Sequence, residues 1–175
     1  MSKTKSMVMI SLGVALMSIC AYICIPAAVP FTLQTFGVFL LIGLLGGKRA
    51  TIAILIYLLL GALGVPVFSL GSGGIGVLFG SAGGYMMSWI FIGLLSWAFE
   101  PYIKKSRAVF IAVMLVGLLL CYVTGTLWYV LVYARNADGV GYFSAMVTCV
   151  FPFIIPDVLK LALAAMLQKR LARFL

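Results

Sequence analysis

The chain has no histidine and only three acidic residues, Glu100, Asp138 and Asp157, among 175 positions. Acid–base catalysis and transition-metal ligation draw mainly on histidine and on clustered carboxylates, so an enzyme is not expected. Nor is a resident cofactor. The four cysteines, Cys20, Cys24, Cys121 and Cys149, all fall in apolar runs. With no histidine to complete a metal set, they read as small buried hydrophobes rather than ligands or a disulfide frame. Charge of either sign is scarce at 9% of residues, against about 25% in soluble proteins. With 65% hydrophobic residues and a mean hydropathy of +1.28, a soluble domain is excluded. An all-α integral membrane protein, one domain over residues 1–175, is expected.

A net charge of +9 does not point to nucleic acid, because the basic residues form small clusters between apolar runs rather than one arm or face. The runs are 6–25, 36–46, 50–63, 84–99, 108–133 and 142–167, giving six expected transmembrane helices with both termini on one side. If that side is cytoplasmic, it carries Lys3, Lys5, Lys48, Arg49, Lys104, Lys105, Arg107, Lys169, Arg170 and Arg173. The outside then carries only Arg135, beside Asp138. This bias predicts a multi-pass cell-membrane protein with cytoplasmic N- and C-termini. Lys3 and Lys5 before an apolar stretch and Ala27–Ala28 after it resemble a signal peptide. The stretch exceeds the usual signal core of about 7–15 residues, so a retained helix is expected.

A straight crossing needs about 20 residues, and the second and third runs fall short. The breaks around them are concentrated: Pro26, Pro30, Thr32, Gln34 and Thr35 after the first run; Gly64 and Pro66 after the third; a glycine-rich approach to the fourth; and Pro152 and Pro156 in the sixth. On the predicted topology all lie in the outer half of the membrane. Irregular backbone at that depth survives only where protein buries it or where it lines a cavity, so an outer ligand pocket above a regular helical base is expected.

Asp157 and Lys160 stand in the last apolar stretch, 151–167. At i and i+3 they share a helix face, with Cβ atoms roughly 5–6 Å apart. They place an acceptor-only carboxylate beside a donor-only ammonium. Pro156 suits the first position of a helix, which predicts Asp157 at the second, where the helix dipole favours an anion. A salt bridge at a helix start does not fully account for Lys160. A cation there opposes the dipole, and the nine residues to Lys169 span about 13.5 Å, too far for easy snorkelling. A cavity or an anionic partner is expected, and the pair is the leading ligand-binding candidate.

Other patterns are weaker. Residues 43–49, Gly-Leu-Leu-Gly-Gly-Lys-Arg, superficially resemble a phosphate-binding loop. Ile42 stands where the first glycine should be, however, and Arg49 replaces the Ser/Thr that would hold magnesium, so ATP binding is not expected. Ser11 and Ala15 form a small-xxx-small pair that Ser18 continues at i+3, a spacing that lets another helix approach closely. Tyr85, Trp89, Tyr122 and Trp128 suit a pocket wall, an interfacial belt or plain packing.

Taken in order, four segments resemble the BioY family, the biotin-specific substrate-binding subunits of energy-coupling factor (ECF) transporters. They are 29–35 (Val-Pro-Phe-Thr-Leu-Gln-Thr), 61–68 (Gly-Ala-Leu-Gly-Val-Pro-Val-Phe), 80–85 (Gly-Ser-Ala-Gly-Gly-Tyr) and 152–160 (Pro-Phe-Ile-Ile-Pro-Asp-Val-Leu-Lys). The resemblance implies a six-helix S component that captures biotin from outside and delivers it with a transmembrane coupling (T) subunit and two ATPases. It implies a docking face on the first helix, where many members carry Ala-x-x-x-Ala and this chain has Ser11 and Ala15. Biotin's ureido ring offers two N–H donors and a carbonyl acceptor, so Asp157 and Lys160 could clamp it. Equally, Lys160 could hold the valerate carboxylate. Thr32, Gln34, Ser81 and Tyr85 are the candidates for the other end. Asp157→Asn and Lys160→Met are expected to weaken binding without unfolding the protein. An autonomous secondary transporter or small channel is the alternative, since broken helices around a midplane site suit that class too.

Overall fold

The structure is a computed structural model that describes residues 3–26, 29–133 and 141–171. Expectations that involve Ala27, Ala28, Arg135, Asp138 and Arg173 lie outside the described residues. Most of the chain is helical. Helix α1 (Lys3–Tyr22) leads into a short antiparallel hairpin, β1 (Cys24–Ile25) and β2 (Phe31–Thr32), with Cys24 opposite Thr32. Helices α2 (Gln34–Leu45) and α3 (Gly47–Ala62) follow. A 3₁₀ turn (Ser69–Gly71) and the one-turn α4 (Ile75–Leu78) then lead to α5 (Gly83–Ala98). The rest is α6 (Glu100–Ile103), α7 (Arg107–Trp128) with a π turn at its end (Tyr129–Tyr133), α8 (Tyr142–Cys149) and α9 (Phe151–Leu171).

Among the described residues, three helices are long and apolar enough to cross a membrane: Lys3–Tyr22, Arg107–Val132 and Phe151–Leu171. All six apolar runs are nonetheless helical. Helix α2, with 12 residues, reaches only about 18 Å. It is buried nearly all round, including Val38, Phe39, Leu41 and Ile42, as expected of a helix that is apolar on every face. It lies among α1, α3 and α9, with the hairpin at its N-terminal end.

Small residues set the close packing. An added Cβ on Gly47 would meet the backbone of Ser96 and Trp97, and one on Gly93 would meet Thr51, so α3 and α5 touch nearly backbone to backbone. Between α5 and α7, Gly84 receives Trp128 and Gly125 receives the ring of Tyr85. This is the packing by small residues typical of helices in membranes.

The sixth run differs from expectation. It divides into α8 and α9 at Val150, whose φ of −125° and ψ of −54° leave the helical region. Pro152, rather than Pro156, occupies the first turn of α9, where an N–H is not needed. Pro156 is inside the helix. Asp157 therefore sits in the second turn, where the dipole term has largely faded, and what holds it is side-chain chemistry.

At the opposite end of the molecule the basic residues gather. Arg49 Nε donates to Ser6 Oγ at 3.1 Å, tying the starts of α1 and α3. The amide of Lys48, in the first turn of α3, donates to Glu100 Oε2 at 3.1 Å, and Lys104 Nζ reaches Glu100 Oε1 at 2.6 Å. Partial burial pushes the Glu100 carboxyl up, but its bonds from Lys104 and the Lys48 amide and the nearby charges of Lys104 and Arg49 outweigh this and hold it below the ordinary value. Gly46 has φ +81°, and a side chain there would collide with Glu100.

Candidate ligand-binding site

The breaks in the helices converge on one cavity. Its wall takes Pro30 and Thr32 from the hairpin region, Gln34 from α2, Ser69 from the 3₁₀ turn, Tyr85 and Trp89 from α5, Tyr122 from α7, Cys149 from α8, and Asp157 and Lys160 from α9. Its volume is about 60 Å³, well below the ~300–1,000 Å³ of ordinary ligand pockets, so a vitamin-sized guest requires the wall to part.

Asp157 and Lys160 are 4% and 6% exposed. Lys160 Nζ donates to Asp157 Oδ1 at 2.8 Å, and the Tyr122 hydroxyl donates to Asp157 Oδ2 at 2.7 Å. The ammonium also lies 4.1 Å from the ring centroid of Phe31, a cation–π contact that ties the hairpin to α9. A carboxylate offers about four lone-pair sites and an ammonium three donors. Two acceptor sites on Asp157 and one or two donors on Lys160 therefore remain available beside each other.

A second polar cluster lies on the same wall. Gln34 Oε1 accepts from Thr32 Oγ1 at 2.8 Å and from Ser69 Oγ at 3.3 Å, while Gln34 Nε2 donates to the Tyr57 hydroxyl. Tyr57 in turn donates to the Val67 carbonyl at 2.9 Å. The amide of Gln34 thus joins the hairpin, α3 and the turn after α3, and its carbonyl oxygen is already saturated. Tyr85 bonds Thr126 Oγ1 at 3.0 Å. Among the described residues no buried side-chain nitrogen or oxygen lacks a partner.

Of the residues singled out in the sequence, Asp157, Lys160, Thr32, Gln34 and Tyr85 line this one cavity. Ser81 does not; its neighbour Ala82 does. In the sequence Tyr122 stands out only as a possible wall residue, and Tyr57 and Phe31 do not stand out at all. A tyrosine in an apolar run carries no signal of its bond until the facing helix is known. Ser11 and Ala15 are exposed on α1 and Ser18 is half-buried, with Ser11 and Ser18 bonded back to their own helix.

The sequence profile of the BioY family matches residues 1–175, the whole chain. The chain belongs to the BioY family. Among BioY relatives, Biotin transporter BioY2 of Lactococcus lactis subsp. cremoris is 36% identical over 99% of this chain and 93% of its own. A probable biotin transporter BioY of Pyrococcus horikoshii is 38% identical, covering 97% of both chains. The Biotin transporter BioY of Thermotoga maritima is 40% identical over 91% of this chain and 90% of its own. A crystal structure of the S-component for biotin from an ECF-type ABC transporter overlays with a TM-score of 0.85 at 25% identity, covering 99% of this chain and 95% of that one. The chain thus has the S-component fold.

Proposed function

We propose that this BioY chain captures biotin as the substrate-binding S component of an ECF uptake transporter, with ATP hydrolysis carried out by two separate ATPase subunits and passed on by a transmembrane coupling subunit. The chain is a transport protein, not an enzyme. Full-length similarity to proteins named as biotin transporters supports the substrate class. One observation carries the chemistry: a buried carboxylate and ammonium stand side by side on a cavity wall, each with bonding capacity left over.

A cyclic urea presents an N–H next to a C=O, which matches an acceptor beside a donor. Asp157 accepts from the ureido N–H groups and Lys160 donates to the ureido oxygen. The valerate carboxylate fits less well, because the Asp157 charge is only 2.8 Å from the ammonium and would repel a second anion. Thr32, Gln34, Ser81 and Tyr85 are assigned to the remainder of the ligand, Ser81 through movement of the glycine-rich turn.

The same reading has six membrane crossings, the basic end in the cytoplasm and the cavity towards the outside. The exposed face of α1 around Ser11, Ala15 and Ser18 docks the coupling subunit.

Titration of the purified protein with biotin, with thiamine and riboflavin as controls, tests the reading. Only biotin should bind, and Asp157→Asn or Lys160→Met should lower affinity by at least about tenfold, the loss expected for one bond to a charged group. Biotin methyl ester should show the same sensitivity to Lys160→Met. If the ester were indifferent to it, Lys160 would hold the acid instead. Ala15→Trp should leave the titration unchanged and abolish uptake by the complete complex, whereas uptake by vesicles containing this chain alone would favour an autonomous transporter.

A further inference from the structure

Between the start of α7 and the end of α9 runs a groove in two joined parts, of about 360 and 390 Å³, which share Arg107 and Lys169. Lys104 and Lys105 stand at one mouth and Arg170 at the other. The inner wall is apolar, from Ile103 and Phe110 to Leu163 and Met166, the last two 45% and 53% exposed. We propose that this groove binds an anionic phospholipid of the inner leaflet, its phosphate among Arg107, Lys169 and Lys105 and an acyl chain along Leu163 and Met166.

Apart from Lys104, the basic groups at this groove carry charge that no described acidic residue offsets. Of the two acidic residues described, Asp157 is taken by Lys160 and Tyr122, and Glu100 by Lys104 and the Lys48 amide. Lys105, Arg107, Lys169 and Arg170 are exposed and have no acidic partner among the described residues. Basic residues scattered at the inner ends of helices would satisfy the topology rule alone. These instead converge from two helices on one groove whose floor continues as the lipid-facing side of α9. Basic pockets of that kind between membrane helices take lipid phosphates, and the planar guanidinium of Arg107 can engage one through two bonds.

The inference rests on the orientation proposed above, with the basic end inside, but not on biotin as the ligand. Native mass spectrometry of the full chain, released from vesicles of phosphatidylcholine and phosphatidylglycerol, tests it. The wild type should retain phosphatidylglycerol selectively, and the double variant Arg107→Gln with Lys169→Gln should retain about tenfold less, consistent with loss of two charge-assisted contacts. Lys3→Gln, away from the groove, should retain as much as wild type. Equal retention of the two lipids by wild type, undiminished retention by the double variant, or displacement of the lipid by inorganic phosphate would overturn it. So would a double variant that keeps the lipid but no longer assembles with the coupling subunit, since the groove would then be a protein interface. Biotin titration of the same samples keeps the two readings apart: lipid loss with intact biotin binding bears on the groove alone, and retained lipid without biotin binding bears on the transport reading alone.

Discussion

Removing one member of a buried ion pair leaves the other uncompensated, at a cost of roughly 3–5 kcal/mol, whereas replacing both by apolar groups of similar size is often neutral. Asp157 and Lys160 meet that description, with Tyr122 as a third partner. Lys160→Met should therefore lower the melting temperature in detergent, and the double variant Asp157→Leu with Lys160→Met should recover most of the loss while binding no biotin. A double variant as unstable as the single one would mean that the pair supports the fold through contacts other than its charges. Tyr122→Phe removes only the bond to Oδ2 and should weaken biotin about tenfold; unchanged affinity would show that the tyrosine does not position the carboxylate. At the basic end, Glu100 provides a pH dependence. Its folded value is lowered from 4.5, so its contribution is fully present above that value and disappears as the pH falls through the lower folded one. Glu100→Gln should reduce the melting temperature at neutral pH and make no difference in strong acid, and a gap that persisted there would assign the effect to packing against Gly46. The two ionic residues of the site were legible in the sequence because charge in an apolar run is conspicuous. Tyr122, Tyr57 and Phe31 were not, because their roles come from which helix or strand each one faces.

Elements follow the same division. The first five apolar runs each became a helix within a few residues of the expected bounds, and the sixth became two, since hydropathy alone selects helix where backbone groups have no water to bond. The hairpin was not legible, being two residues per strand, whereas the break in the sixth run was, because Pro152 follows Val150 by two residues and sits in the first turn of α9. Pro156 misled because its preference for a first turn is shared by Pro152, four residues earlier, and only one of them can begin the helix. Helix pairing was likewise hidden, although its agents were visible as glycines. Gly125 is the clearest: an added Cβ lies 2.3 Å from the Tyr85 ring, on the side that holds the bond to Thr126. Gly125→Ala should displace that ring, lower the melting temperature by the equivalent of about 1–3 kcal/mol of overpacking and weaken biotin binding as well. Gly76→Ala, where nothing lies within 4 Å, should do neither. If the two variants melt alike, close α5–α7 approach is not what orders this wall of the cavity.

For the whole molecule, the organising fact is a polarity along the helix axes. Irregular chain and the cavity occupy one end; short connections and most of the described basic residues occupy the other. The cations favour the cytoplasmic side, and the proposed function needs the vitamin to arrive from the opposite one, so both support the orientation proposed above. Orientation is measurable without any ligand. In a background with the half-buried Cys24 replaced by serine, a thiol introduced at the exposed Leu70 or Ile75, beside the cavity, should react with a membrane-impermeant maleimide in intact cells. One introduced at Lys48 should react only after permeabilisation. The reverse pattern would put the basic end outside, and with it the cavity on the cytoplasmic face. It would remove both the proposed route of biotin and the inner-leaflet lipid, even though the fold and the Asp157–Lys160 chemistry would be unchanged.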